Sequence, residues 1–224
     1  MSVVVVASPK GGAGKTTVAI LVGTEFARQG IEVTFIDCDD TNKSFQKWKD
    51  SGPLPDNIKI IHNPTEDQLL DAIENNDGPG KLVVIDLEGI ASSRLTMAVS
   101  RANLVIIPMR AKMLDAMVGA DAINLIQRQE RTLRREIKHA AIFTMTRAIA
   151  SREQKKVTKE LYNYGIDIIE PSVMERALFS QFFDTGGDLH MMPDHKTKEQ
   201  ALKNAEQIAE SVYERLQSQE EVAA

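Results

Sequence analysis

The chain has 224 residues, a length that suits one α/β domain with a sizeable core. Lys and Arg total 27 against 32 Asp and Glu, a formal charge of −5, which excludes a surface coated in basic charge for nucleic acid while allowing a local patch. The single cysteine, Cys38, excludes an intramolecular disulfide framework and a four-cysteine metal site within one chain; with 42% apolar and 26% charged residues, the expectation is an ordinary soluble protein of the cytoplasm.

The first element is the run Val3 to Ala7, too short for a signal-peptide core and without basic residues before it, so it reads as a buried strand. No later run approaches the roughly 20 apolar residues that a membrane helix needs. Directly after the strand comes Ser8–Pro9–Lys10–Gly11–Gly12–Ala13–Gly14–Lys15–Thr16–Thr17, which leads into a helical pattern over Lys15 to Gln29. Strand, glycine-rich loop and helix in succession form the context of a phosphate-binding loop. Glycines let the backbone turn its N–H groups inward around an anion, and the helix behind presents its positive N-terminal end to the same point. Gly11, Gly12, Ala13 and Gly14 supply the cradle, and Lys15 is placed to reach the outer phosphates of ATP. The Thr16 hydroxyl suits Mg²⁺, a hard cation that prefers oxygen, and Thr17 adds a further hydrogen bond.

The second strand, Glu32 to Asp37, runs into Cys38–Asp39–Asp40 and sets Asp37 and Asp39 at the C-terminal edge of the sheet, where open α/β folds bind ligands. Carboxylates there can hold water on Mg²⁺ or orient the water that attacks a terminal phosphate; Asp40 is given no role. A third strand, Ile58 to His62, lies between the loop Gly52–Pro53–Leu54–Pro55 and a helix over Thr65 to Asn75, and a second loop follows at Gly78–Pro79–Gly80. The fourth strand, Leu82 to Asp86, is a hydrophobic run ending in an acid, the Walker B form, and Asp86 is expected to act through a magnesium-bound water.

The remaining pattern predicts a helix over Ser92 to Ala102, a strand over Leu104 to Pro108, a helix over Met113 to Lys138, a strand over Ala140 to Met145, a helix over Ser151 to Tyr164, a strand over Asp167 to Ile169 and a last helix over Lys196 to Ser218. Alternation of this kind predicts an α/β fold, a doubly wound and mostly parallel sheet with helices on both faces. One domain is expected over residues 1–218, with a disordered tail over 219–224. Trp48 reads as a packing residue, and His190, Met191, Met192 and His195 as core or loop residues.

Two basic stretches stand out. On a helix reaching Lys138, the side chains of Arg128, Arg131, Arg134, Arg135 and Lys138 share an arc of about 120°, and Arg152, Lys155, Lys156 and Lys159 share about 100° on the next. Such faces can meet phosphates without reading bases, or can be solvated faces balanced by Glu130, Glu136, Glu153 and Glu160. The last helix carries Glu199, Glu206, Glu210 and Glu214 and lacks the basic, bulky apolar face of a membrane-surface helix.

The run from Lys10 to Thr16 resembles the deviant Walker A motif of the ParA/MinD superfamily of P-loop ATPases. The resemblance implies that Lys10 contacts phosphates across an ATP-bound homodimer, that Asp39 orients the attacking water, and that Asp37 is a magnesium-side carboxylate beside Thr16 and Asp86. Catalysis would then rest on Asp39, Lys10 and Lys15. Two stretches depart from the family pattern. After Asp86 many relatives read Asp-x-Pro-Pro or Asp-x-Pro-Gly, whereas this chain reads Leu87–Glu88–Gly89, placing a charge near the phosphates. The Asn often found after the adenine-proximal strand is missing from Phe143–Thr144–Met145–Thr146–Arg147, so Thr146 and Arg147 are taken as the adenine contacts.

The chain looks like a short ParA, for which no N-terminal helix-turn-helix extension and no sequence-specific operator binding are expected. The resemblance implies a dimerising switch driven by Mg-ATP, with slow, partner-stimulated hydrolysis. It would bind DNA non-specifically, associate with the nucleoid when ATP is bound, and work with a ParB-like or other adaptor in DNA partition or cargo positioning, away from membranes. Asp37–Cys38–Asp39 followed by Trp48, Asp86-x-x-Gly89-x-x-Ser92 and Ala102–Asn103–Leu104 before Pro108 are similar to ParA-like proteins that assist T-DNA and conjugative transfer, which gives an accessory transfer ATPase as one alternative. A metabolic ATP-dependent ligase on the same scaffold is another.

Overall fold

The computed structural model describes residues 2–39, 43–87, 89, 93–175 and 177–217. Strands β1 (Ser2–Val6), β2 (Glu32–Cys38), β3 (Ile58–His62), β4 (Lys81–Leu87), β5 (Leu104–Arg110), β6 (His139–Thr144) and β7 (Asp167–Ile169) make one sheet in the order β3-β2-β4-β1-β5-β6-β7. All of its pairings are parallel. The crossovers are α1 (Lys15–Arg28), α2 (Ser44–Asp50), α3 (Glu66–Asn76), α4 (Ser93–Arg101), α5 (Met113–Leu133) and α6 (Arg152–Asn163), followed by α7 (Ala177–Thr185) and α8 (Lys198–Gln217).

Successive side chains of a strand point to opposite faces, and a parallel sheet buries both, so its strands must be apolar throughout. Val4, Val6, Leu82 and Val84 pack with α1 and α8 on one face, while Val3, Val5, Val83 and Ile85 pack with α3 to α6 on the other. The chain begins at β1 in mid-sheet, lays β2 and β3 to one side, then inserts β4 between β2 and β1 before continuing from β5 to β7 on the other side. Val6, Asp37 and Asp86 therefore stand level across three neighbouring strands.

The expected doubly wound α/β sheet is present, and three local expectations are corrected. Thr65 and Ser151 are N-caps rather than helical residues: each side-chain oxygen accepts from the backbone N–H three residues on, Gln68 and Gln154, and the Gln68 side chain answers back to the Thr65 N–H. The helix expected to reach Lys138 ends at Leu133, where Arg134 turns into the left-handed region at φ 53°. That turn lets Ile137 enter the core and β6 start at His139, with the Glu130 carboxylate accepting from the Ile137 N–H at 2.9 Å. Two short helices, α2 and α7, went unpredicted. Both are held by tertiary packing: Phe45 and Trp48 of α2 are buried against Phe35, and the Trp48 indole donates to the Gly187 carbonyl at 2.8 Å. Asp40, Glu88, Ser92 and the tail expected over 219–224 lie outside the described residues.

Gly23 of α1 faces the Phe35 ring so closely that an added Cβ would sit 2.2 Å from it, and that ring is fixed by Phe45 and Trp48 with centroids 5.1 and 5.4 Å away. Gly23→Ala gains about 1 kcal/mol of helix propensity and loses up to about 3 kcal/mol to overpacking, a net destabilisation of about 2 kcal/mol in urea unfolding. Gly119→Ala meets only the flexible end of Met109 and should be close to neutral.

Candidate functional site

The loop between β1 and α1 is shaped by glycines at positive φ, Gly12 at 69° and Gly14 at 87°, where other residues would be strained. Gly14 also packs against Thr144 at the end of β6, so close that an added Cβ would lie 3.2 Å from the methyl group. The Thr144 hydroxyl donates to the Ala13 carbonyl at 2.8 Å, tying the loop to the far half of the sheet.

On its other side the loop is tied to β4. The Thr16 hydroxyl donates to Asp86 Oδ2 at 2.6 Å, the buried Lys15 lies within electrostatic reach, and Asp86 Oδ1 is buried without a partner. Burial pushes the Asp86 carboxyl up to about 7, against the opposing pull of the Thr16 hydroxyl and the Lys15 charge. Asp37, one strand away in register, is also raised by burial; its carboxylate accepts from the Asp39 N–H at 3.1 Å and faces His62 Nδ1 at 3.4 Å. Asp39 is buried at the same edge.

An orphaned carboxylate oxygen beside a hydroxyl is a hard oxygen donor set that fits Mg²⁺. Among the described residues no three His, Cys, Asp or Glu side chains converge as a metal cage. A phosphate-bound Mg²⁺ needs no such cage, since it is held by one or two protein oxygens together with the phosphates and water.

Lys10 does not extend freely into solvent. Its Nζ donates to Asp115 in the first turn of α5; Asp115 is 4% exposed and its second oxygen has no partner. Sequence reasoning missed both Asp115 and His62. An acid in the first turn of a helix is ordinary dipole compensation, so Asp115 carried no special signal; His62 ends a strand on the functional edge, which was one.

Beside Gly14 and Thr17 lies a cavity of about 260 Å³ lined by Thr144, Met145, Val173, Met174, Glu175, Phe179 and Phe183, apolar on most of its wall. Its position next to the loop, its volume and its apolar wall suit a purine. The two residues expected to meet adenine sit elsewhere: the Thr146 hydroxyl is turned to Ser172 at 2.9 Å, and Arg147 lines a neighbouring cavity.

The five-residue basic face on α5 is also corrected, because two of its members lie beyond the helix and are occupied. The Arg135 guanidinium donates to the carbonyls of Val99, Ser100 and Ala102 at 3.1, 3.1 and 2.8 Å, capping the end of α4, and Lys138 Nζ donates to the Arg215 carbonyl at 3.1 Å. Arg128, Arg131 and Arg134 remain exposed. Among the described residues, no helix is long and apolar enough to cross a membrane.

Residues 4–221 match the family model described as the CobQ/CobB/MinD/ParA nucleotide binding domain. The chain is 43% identical over 218 residues to Protein ParA of Rhizobium radiobacter, a match covering 96% of this chain and 98% of that one. Among solved structures it is similar to an ATP complex of a Cyanothece McdA variant (TM-score 0.71, 18% identity, 96% of each chain covered). It is also similar to the MinC:MinD cell division protein complex of Aquifex aeolicus (TM-score 0.71, 15% identity, 95% of this chain and 96% of that one). With a phosphate-binding loop clamped between a buried acid on β4 and a threonine on β6, the chain belongs to the CobQ/CobB/MinD/ParA nucleotide-binding family.

Proposed function

We propose that the protein is a Mg-ATP-dependent switch of the ParA kind, which dimerises with ATP bound, hydrolyses it slowly and carries or positions DNA in partition. The observation that supports it most directly is the Thr16–Asp86 hydrogen bond, with Lys15 and Asp39 buried around it. In this reading the backbone from Lys10 to Thr17 holds the phosphates, Lys15 neutralises the outer ones, and Thr16, Asp86 and Asp37 form the magnesium side of the site. Mg²⁺ supplies neutralisation of the phosphate charge that develops during transfer. Asp39 orients the attacking water, and the apolar cavity next to Gly14 takes the base.

Two features favour a dimer closing over this edge. Lys10, which the deviant motif sends toward a second subunit, is parked on Asp115, a contact that an incoming phosphate can outcompete. Leu114 and Met117, next to Asp115 on α5, and Met145 and Ile149, in the segment after β6, are exposed at 69, 62, 43 and 85%, large apolar side chains that a second copy would cover. Partition rather than small-molecule ligation is favoured by the 43% identity to a protein named ParA.

Calorimetry with Mg-ATP should detect binding to the wild type and none to Lys15→Ala, while Asp39→Ala binds and loses turnover by about a hundred-fold or more. Equal turnover by Asp39→Ala and wild type would remove Asp39 from this role. Asp115→Asn frees Lys10 from its ion pair and should raise the dimer fraction seen by light scattering at a given ATP concentration.

Asp86 also sets a pH dependence. Unfolded, its carboxyl ionises near 3.8, whereas folded it holds its proton to about 7. Between these values the native chain binds the extra proton, so stability without nucleotide and Mg²⁺ falls as pH rises and levels off above about 7. Asp86→Asn keeps the site neutral: in urea it should unfold at a higher midpoint than wild type at pH 8, with the advantage clearly smaller at pH 5 and lost only near the unfolded value of 3.8. Glu25, pushed up to about 7 by burial, adds a slope of the same sign, so the wild-type slope shrinks in the variant and does not vanish.

A further inference from the structure

We infer that the outer face of α6, with the groove beside it, is a docking track for single-stranded nucleic acid that leads to the nucleotide edge of the sheet. The inference rests on the proposed meeting of the ATP-bound state with DNA and assigns it a surface and a form of substrate. At about 100° per residue, Arg152, Lys155, Lys156 and Lys159 occupy one arc of the helix, opposite the buried Val157 and Leu161. The helix's own acids, Glu153 and Glu160, lie on the flank away from Tyr162, and neither lines the groove between α6 and β7. All four cations are exposed, and none of their side chains is held in a hydrogen bond or ion pair among the described residues. Arg101, Arg135, Lys198 and Arg215, by contrast, are held by carboxylates or carbonyls, so the α6 cations stand out as an exposed cluster left unneutralised in a chain of net charge −5.

The groove is a cavity of about 400 Å³ between α6 and the end of β7, with Lys155, Lys159, Tyr162 and Asn163 on its α6 wall and Glu170 as its one acid. Tyr162 is 52% exposed, so an aromatic ring stands beside the lysines on the same wall. Cations tracking a backbone with aromatic rings for successive bases are what a single strand needs; a duplex, its bases already stacked, has no use for the rings. Gln154 is shared with a second cavity of about 430 Å³, where Arg110, Lys112 and Arg147 stand opposite Glu153 and Glu175, and Arg110 Nε is buried with no partner. The track thus continues past the N-terminus of α6 to Met145, which also lines the purine-sized cavity.

The test is fluorescence anisotropy with the full chain and Mg-ATP, using a labelled mixed-sequence strand of about 16 nucleotides, the same sequence as a duplex, and polyglutamate as competitor. The single strand should bind more tightly than the duplex. Lys155→Glu/Lys159→Glu should weaken it about ten-fold or more and reduce the log–log salt slope by about 1.4, at ~0.7 per strand phosphate. Tyr162→Ala should weaken it about five-fold or more, with Tyr162→Phe retaining wild-type affinity. Circular dichroism and DNA-free ATP turnover of these variants should match wild type, and Arg128→Ala/Arg131→Ala should bind as wild type does. Unchanged affinity in the lysine variant overturns the track and leaves the ATP switch standing. Equal binding of duplex and strand with a neutral Tyr162→Ala overturns the single-strand assignment, and polyglutamate displacing DNA at matched charge turns the face into a protein-docking surface. If wild type binds no DNA at all while calorimetry still shows Mg-ATP binding, both the track and the DNA part of the proposed function fall.

Discussion

A carboxylate stripped of water at the centre of the sheet is the constraint around which this protein is organised. Asp86 is 1% exposed, and burial alone would make it a poor place for a charge. It is tolerated because the Thr16 hydroxyl donates to one oxygen, Lys15 is close, and the group keeps its proton to about neutral pH. All three conditions depend on the sheet order. Only by inserting β4 between β2 and β1 does the chain bring the end of β4 level with Val6, where the loop departs, and with Asp37 on β2. The loop is then fixed at two points, by Thr16 to β4 and through Ala13 to Thr144 on β6. A cradle pinned from both halves of the sheet is preorganised, as stabilisation of phosphate charge requires.

The strands, the loop and the acids at the sheet edge were legible in the sequence because each is a local pattern backed by steric need. A parallel strand must be apolar on both faces, a cradle needs glycine at positive φ, and a carboxylate after an apolar run marks the functional edge. Helix ends were less legible. Beyond Gly119 the run to Lys138 carries no glycine or proline stop, and what ends α5 is the demand that Ile137 return to the core, met by a left-handed Arg134. Short helices such as α2 exist because Phe45 and Trp48 complete an aromatic cluster with Phe35, a contact across the fold that no local periodicity announces. The purine-sized cavity was missed for the same reason, since its walls come from β6, the segment after β7, and α7.

Charge shows the limits of counting along a helix. Five cations appeared to share one face near the end of α5, but Arg135 caps the carbonyls of α4 and Lys138 reaches the end of α8. Those two hold elements together and their substitution would act on stability before it acted on any ligand. Lys10 belongs to a third kind: its partner Asp115 is buried with one oxygen unpaired, so the pair is an arrangement with an unmet demand rather than a finished tie. Taking the lysine away would leave the buried carboxylate with neither oxygen paired among the described residues, so the contact holds until a stronger partner for Lys10 outweighs that cost.

The end of β6 is where these separate features meet. Thr144 touches the loop at Gly14, and the next residue, Met145, takes a left-handed φ of 53° that only a tightly determined surrounding sustains in a non-glycine residue. Met145 lines both the purine-sized cavity and the cationic one, and a few residues later the Ser151 cap begins α6. The segment that leads into the helix with the exposed cations therefore starts at the wall of the cavity beside Gly14 and Thr144. Coupling between sites requires a physical element that both sites bias, and the stretch from Thr144 to Ser151, with its left-handed Met145, is one that touches both cavities.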